Sequence, residues 1–524
     1  MNDFIARYQE QLSGTLSGFD RLVFLGTLWR NRLSGLKGYL WAHQMGARDF
    51  AEHAERVSKR VKEAALAPLE AAHRPVRYLN SGKQDKQQMA QQIAAEDGIR
   101  EGPICALTAV ELCSSYAIHR NPSSPQPELQ IAPRKCLFVY QYWMHPVVGF
   151  MSARLQTWFP FPVHIYRNGR EWLSQQMNRA GIPYVRQANC FPWIEDMAAA
   201  QRWMDEQQRV NWAELLDPLS QQIHPLLYSE LSVQYPMHYY WTCSESEWAM
   251  DLMFRDPEKL RRMVPTLMRL GIMSFSSPDV LRFMGKQVSR QGGPLGQALP
   301  LTSDLKIRPN GARVKHRLGP NSIKIYDKAY HQRGAILRPE VTITVPKYFK
   351  VFRTTENPKS KLAWRPMRQA VADIHHRAEV SQKILDRYCS ALAAVDDSTT
   401  LEEITATIEK RVRWKGQSVR ALHPFEPQDH KLLKAVHRGE FTIAGFRNRD
   451  LQNLLYPTPP KTQAEKRRRS AAIGRKLRML RAHGLIRKRQ KSNCYDVTPN
   501  GRPILTAILL AHQLTINQLL PTAA

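Results

Sequence analysis

Lys466–Lys491 reads KRRRSAAIGRKLRMLRAHGLIRKRQK, with twelve Lys and Arg in 26 residues and no Asp or Glu. The run is ordered as well as basic. Ile473, Leu477 and Leu480 recur at helical spacing, which makes one apolar stripe on a charged cylinder. Gly484 then supplies a helix stop. This pattern suits a helix that buries its stripe and turns its charge toward a polyanion. Upstream, a helix is expected over Pro427–His437, with Leu432, Leu433 and Val436 on one face. Phe441-Thr442 opens a short segment before a second helix over Asn448–Leu455. The break YPTPPK precedes the basic helix, which spans Thr462–His483. Downstream, Leu485–Lys488 and Tyr495–Val497 read as two short strands around a basic turn, and a last helix begins after Gly501.

This order resembles winged helix-turn-helix domains of the MarR-like kind, most closely at LRAHGLI (480–486) and YDVTPNG (495–501). The resemblance covers residues 426–515. It implies a recognition helix in the major groove and a wing on the backbone. Arg467, Arg468, Arg469, Arg475, Lys476, Arg478 and Arg481 are then groove or phosphate contacts, while Arg487, Lys488, Arg489 and Lys491 belong to the wing. The implied partner is nucleic acid, DNA ahead of RNA. The plainer alternative is a solvated charged face or a protein-binding module.

The rest of the chain carries the same bias. The 524 residues include 76 Lys and Arg against 46 Asp and Glu, a formal charge of +30. Removing the twelve charges of the basic run leaves +18 spread elsewhere, which raises general attraction to phosphate backbones. No apolar run approaches the ~18 residues of a spanning helix. The start, MNDFIARYQEQ, lacks the apolar centre of a signal peptide. A cytoplasmic protein with no membrane partner is expected. The seven cysteines form no CxxC pair and no zinc-ligand spacing, so buried or idle thiols are expected. The absence of P-loop, GxGxxG, GxSxG and HExxH motifs argues against a nucleotide motor, a Rossmann dehydrogenase and a serine hydrolase. No nucleotide or organic cofactor is indicated.

The expected fold class is α+β, multidomain. A mixed α/β domain covers 1–215, a helical segment and linker 216–300, a β-rich segment followed by helices 301–425, and the winged helix 426–515. Residues 1–68 read as largely helical around the apolar Leu22–Leu25. Ile104–Val110, Cys136–Tyr140 and Phe161–Tyr166 read as strands, with the loop NPSSPQPE after the first. Asn211–Met284 reads as helical, and RQGGPLGQALP (290–300) as a linker. Aromatic residues crowd the middle, from Phe138 and Tyr140 through Trp158 and Phe161 to Tyr239–Trp241. Mixed with Lys135, Arg154, Arg167 and Arg170 they suit a platform for unpaired bases, although such residues are more often core. Asn168-Gly169-Arg170 reads as a turn into a helix whose N-terminus suits a phosphate.

Two sets of residues suit chemistry. Ile323–Lys328 and Leu337–Ile343 form a hairpin pattern that resembles one in plasmid and phage rolling-circle replication initiators. In that group, carboxylates hold a divalent metal and a tyrosine attacks a DNA phosphodiester. The resemblance implies Asp327 and Glu340 as ligands for Mg²⁺ or Mn²⁺. It implies Tyr326 or Tyr330 as nucleophile. Two departures stand beside it: no histidine lies two residues from another, and Pro339 interrupts the second strand. The second set is Asp20, Glu111 and Asp304, carboxylates at strand ends of the sort two-metal nucleases gather. Together these readings favour a metal-dependent DNA-processing protein (a nickase, a replication initiator or a mobile-element nuclease). The alternatives are a non-enzymatic transcriptional regulator and an RNA-binding protein.

Overall fold

The computed structural model describes residues 3–29, 32–80, 84–119, 128–273, 275, 277–285, 301–308, 311–355, 357, 360–393, 401–438, 441, 445–489, 492–498 and 500–512. The linker at 290–300, all but the last residue of NPSSPQPE, Thr442 and Lys491 lie outside the described residues. Strands and helices are mixed throughout. The first eight strands are β1 (Leu12–Thr27), β2 (Val76–Tyr78), β3 (Gly102–His119), β4 (Glu128–His145), β5 (Gly149–Gln156), β6 (Val163–Asn168), β7 (Tyr184–Gln187) and β8 (Cys190–Ile194). They are followed by β9 (Tyr240–Phe254), β10 (Leu301–Arg308), β11 (Gly311–Leu318), β12 (Asn321–His331) and β13 (Gly334–Ile343). The chain divides into two compact units, each discontinuous in sequence. Unit 1 comprises residues 1–13, 254–339 and 383–524, and unit 2 comprises 14–253 and 340–382.

Unit 2 is built on strands in the order β13-β9-β1-β6-β5-β4-β3-β2, with β13 contributing its last four residues. β3 and β4 pair over their whole length, from Gly102↔Met144 to His119↔Glu128. Two strands correct the sequence reading. β1 occupies a region expected to be helical, where Gly14, Gly18 and Gly26 weaken a helix. Those glycines also admit close neighbours: a Cβ on Gly18 would meet the Met204 side chain at 2.2 Å. β9 lies inside the segment Asn211–Met284, which was expected to be helical throughout. From Ser246 onward every β9 residue is buried, and a strand covered on both faces loses the alternation that distinguishes it from a buried helix. β13 is buried at all ten positions and continues through Pro339, so that proline does not end the strand.

The core of unit 2 also encloses charge. Arg170 and Asp251 are 0% and 1% exposed and pair at 3.1 Å. Arg377, likewise buried, donates to Ser246 Oγ at 3.1 Å, to the Ile343 carbonyl at 3.0 Å and to the Cys243 carbonyl, tying β9 to the end of β13. Most of the aromatic residues in the middle of the sequence belong to this core. Phe138, Trp158, Phe159, Phe161, Tyr239 and Trp241 are all buried.

In unit 1, β10, β11 and β12 form consecutive antiparallel pairs, with Asp304 opposite Lys315 and Val314 opposite Ile325. The N-terminal residues are held by the helix near residue 390: Asp3 N–H donates to Ser390 Oγ at 3.2 Å and Arg7 to the Ala393 carbonyl at 2.8 Å. The C-terminal helices are Pro427–Val436, Asn448–Leu455, Gln463–Ala482 and Gly501–Ala511, with short strands at Ile486–Lys488 and Tyr495–Val497. Leu432, Leu451, Ile473, Leu477, Leu480 and Leu505 meet in one core. Gly484 takes φ +71° after the basic helix, a left-handed conformation that suits glycine at a helix end. Thr498 fastens the turn by donating its hydroxyl to the Gly484 carbonyl at 2.6 Å. All seven cysteines are buried free thiols. Among the described residues, no helix is long and apolar enough to cross a membrane.

Candidate functional site

Three neighbouring strands of unit 2 bring together three carboxylates distant in sequence. Asp20 sits on β1, Glu247 on β9 and Glu340 on β13. All three are buried, and one oxygen from each lies within 4.8 Å of the others. Carboxylate oxygens are ligands for hard cations. Separations within 4.8 Å are of the order two oxygens can have around one divalent cation with bonds of ~2.1–2.4 Å.

The supports of the cluster are specific. Asn189, in the turn between β7 and β8, donates to Asp20 Oδ2 at 2.7 Å. Thr342 Oγ1 donates to Glu247 Oε2 at 3.4 Å. Arg21 reaches Glu245 at 2.6 Å and Glu247 at 3.1 Å. Burial works against the Arg21 charge, but Glu247, Glu245, Glu340 and Asp20 together hold its pKa above the ordinary arginine value. A cavity of about 400 Å³ opens beside the cluster, lined by Asp20, Glu247, Arg21, Arg186, Asn189 and Gln87 among others. The cavity thus mixes carboxylates with guanidinium groups that are already paired to acids, Arg21 to Glu245 and Glu247 and Arg186 to Glu171 at 2.5 Å.

The start of the helix Gly169–Arg179 abuts the strand that carries Asp20. Asn168 caps it, accepting from Arg170 N and Glu171 N at 3.0 Å each, so its own side chain occupies the helix start read above as suited to phosphate. A Cβ on Gly169 would fall 1.8 Å from the Phe19 carbonyl oxygen, so only glycine permits this approach.

The structure divides the residues named from sequence. Glu340 joins Asp20, and both join Glu247, which sequence reasoning missed. The signal for it was ESEWAMDLMF (245–254), where acids interrupt an apolar run. Asp20 lies within its strand, not ahead of it. Asp327 belongs to unit 1, where it accepts from Ala312 N at 2.7 Å and from the Tyr330 hydroxyl at 2.8 Å. Burial raises its pKa despite those two bonds. Tyr326 adjoins it on β12, with Lys328 over its ring. Glu111 lies mid-strand and accepts from Tyr140 at 2.5 Å and from Arg154 at 2.9 Å. Burial opposes its ionisation, yet those bonds and the Lys86 charge hold its pKa below the usual value. Asp304 pairs with Arg313 at 3.5 Å and Arg317 at 3.7 Å. Glu111 and Asp304 are therefore engaged in ion pairs apart from the carboxylate cluster.

The basic helix orders its charge by position. Arg467, Arg468 and Arg475 are exposed, as are Arg487, Lys488 and Arg489 on the following strand and turn. Others have intramolecular work. Arg469 pairs with Glu465, Arg478 with Gln417, and Arg481 lies over Trp414 at 4.9 Å. Lys476 is half-buried; burial opposes ionisation of Asp429, yet its bonds to Arg420 and His423 N, the Arg420 charge and lastly Lys476 hold its pKa below the usual value. Arg489 pairs with Asp496 at 2.7 Å. A groove of about 600 Å³ beside the helix is lined by Arg447, Arg449, Lys466 and Arg467, with no Asp or Glu in its lining. Phe446 exchanges two backbone hydrogen bonds with Tyr495, both 2.8 Å, adding a third edge to the small two-stranded ribbon. No family model, curated protein or solved structure matches the chain.

Proposed function

We propose that the protein binds duplex DNA through residues 426–515, acting as a winged helix-turn-helix with Gln463–Ala482 as its recognition helix. The observation that carries this reading is the partition of that helix: Ile473, Leu477 and Leu480 are buried while Arg467, Arg468 and Arg475 face outward. The third edge at Phe446 supports it, since winged helices pair a short segment after the first helix with the wing. Neutralising Arg467, Arg468 and Arg475 together to Gln is expected to flatten the salt dependence of duplex binding. The slope of log K against log[salt] should fall by about 2.7 if each arginine neutralises one phosphate. Unchanged affinity and slope would remove this helix from the interface.

A second reading concerns chemistry and rests on the carboxylate cluster. We infer metal-dependent cleavage of phosphodiesters at Asp20, Glu247 and Glu340, with Mg²⁺ or Mn²⁺ as the cation. A divalent cation there would polarise a phosphoryl oxygen and lower the pKa of a bound water. Arg21 and Arg186 line the adjoining cavity and would meet the phosphate by exchanging their pairs with Glu245 and Glu247 and with Glu171. Mn²⁺ titration of the full chain should give binding that Glu247→Gln or Asp20→Asn weakens at least tenfold. Mg²⁺-dependent nicking of a plasmid should disappear with it. Asp327→Asn should leave both intact. Duplex binding with no strand break under either metal would favour the non-enzymatic regulator instead.

A further inference from the structure

A short two-stranded ribbon in unit 2, outside both sites above, carries an aromatic pair that packing does not explain. Lys350–Arg353 and Ala363–Pro366 pair antiparallel, with Phe352 directly opposite Trp364. Phe352 is 52% exposed and Trp364 66%. Their ring centroids are 5.8 Å apart and the planes are tilted by 56°, so neither ring covers the other's face. Large aromatic side chains usually contribute their area to a core or an interface, and leaving two of them side by side in water forgoes that gain.

The setting is strongly basic. Residues 347–368 contain seven Lys and Arg and one Glu, a net charge of +6. Lys350, two residues from Phe352, is exposed on the same face of the ribbon. Arg353 is committed to the ribbon itself, donating to the Pro366 carbonyl at 2.8 and 3.2 Å. The base is anchored: Met367 N–H donates to the Phe349 carbonyl at 2.8 Å and Cys243 N–H to the Gln369 carbonyl at 2.8 Å. Cys243 is on β9, four residues before Glu247, and β13 with Glu340 precedes the ribbon in sequence, with a short helical turn at Pro346–Tyr348 between them. The strand that anchors the base of the ribbon therefore also carries one carboxylate of the cluster.

We propose that this ribbon binds single-stranded nucleic acid, with Phe352 and Trp364 stacking on unpaired bases and Lys350 meeting the backbone. Every base offers a π-face, so aromatic platforms in positive surroundings hold unpaired strands with little sequence preference. The inference deepens the reading of unit 2 as a nucleic-acid-processing unit and rests on it. It names the substrate form as a strand already released from the duplex.

The test compares a labelled twenty-residue oligothymidine with a duplex of equal length, each titrated with the full chain. Phe352→Ala with Trp364→Ala should weaken oligothymidine binding by about tenfold per ring, equivalent to ~1.4 kcal/mol each. Duplex affinity should stay within about twofold. The exchange Phe352→Trp with Trp364→Phe keeps two aromatic rings and should keep the affinity. The proposal is overturned if the alanine pair binds oligothymidine as tightly as the unaltered chain, or loses both ligands equally. It is also overturned if sedimentation finds a dimer that the alanine pair abolishes, since a second copy would then cover the rings. If the unaltered chain binds neither ligand, the nucleic-acid reading itself fails, a result distinct from failure of the ribbon alone.

Discussion

Replacing Arg170 by Ala is expected to lower the stability of unit 2 by about 3–5 kcal/mol, because it removes the buried guanidinium that balances the charge of Asp251. Both side chains are within 1% of complete burial. Arg170 also donates to the Leu16 carbonyl at 3.4 Å and the Ala249 carbonyl at 3.3 Å, joining β1 to β9. The large number reflects breaking the pair rather than the pair's own value. Taking two ions out of water costs about as much as their attraction returns. The double replacement Arg170→Met with Asp251→Leu should therefore recover most of the loss. Urea unfolding of the three variants measures the difference. A single variant that loses less than about 1 kcal/mol would mean that water reaches Asp251 or that it becomes protonated.

Gly169→Ala is expected to be the most damaging one-carbon addition near the carboxylate cluster. The new Cβ would sit 1.8 Å from the Phe19 carbonyl oxygen, and the obstacle is backbone, which cannot rotate away. Overpacking ordinarily costs about 1–3 kcal/mol, and this variant should reach the top of that range. Phe19 precedes Asp20, so relief of the clash must displace either the helix Gly169–Arg179 or the strand carrying the first carboxylate. Loss of stability should therefore accompany loss of Mn²⁺ affinity. Gly181→Ala serves as the control for stability alone: no atom lies within 4 Å of its added Cβ, but its φ of +68° makes it strained. A Gly169→Ala chain with full stability and full Mn²⁺ binding would mean that the approach of helix to strand is looser than described.

The C-terminal elements were legible because each is short, local and punctuated. The basic helix was read as Thr462–His483 and is Gln463–Ala482, with Thr462 as its cap. Thr462, Gly484 and the stripe Ile473-Leu477-Leu480 all point to the same answer. β3 and β4 were recognised but read too short, since their outer halves are polar and partly exposed. β1 and β9 were hidden for opposite reasons. Glycines and scattered polar residues obscured β1, while continuous burial on both faces erased the period of β9. The carboxylate cluster suffered most from this. Asp20 and Glu340 each entered a different set of candidates, and Glu247 entered neither because its segment looked helical. No local pattern announces that residues 320 positions apart share one site; strand order decides it. The ribbon at Phe352 and Trp364 was overlooked because aromatic residues elsewhere in the chain are more numerous, and most of those are buried.

The discontinuity of unit 2 sets a timetable for synthesis. A chain emerging from the ribosome presents Asp20 and Glu247 well before Glu340, which follows Glu247 by 93 residues. At ~5–20 residues per second that gap lasts about 5–20 s. Throughout it, β9 lacks its neighbour β13, and an open strand edge invites pairing with other chains. Arg377, which ties β9 to β13, arrives later still. A truncated product ending between residues 247 and 339 would hold Asp20 and Glu247 but not Glu340, two of the three clustered carboxylates. Premature release would thus yield a fragment with an open β9 edge, and the three carboxylates could come together only once about two-thirds of the chain has been made.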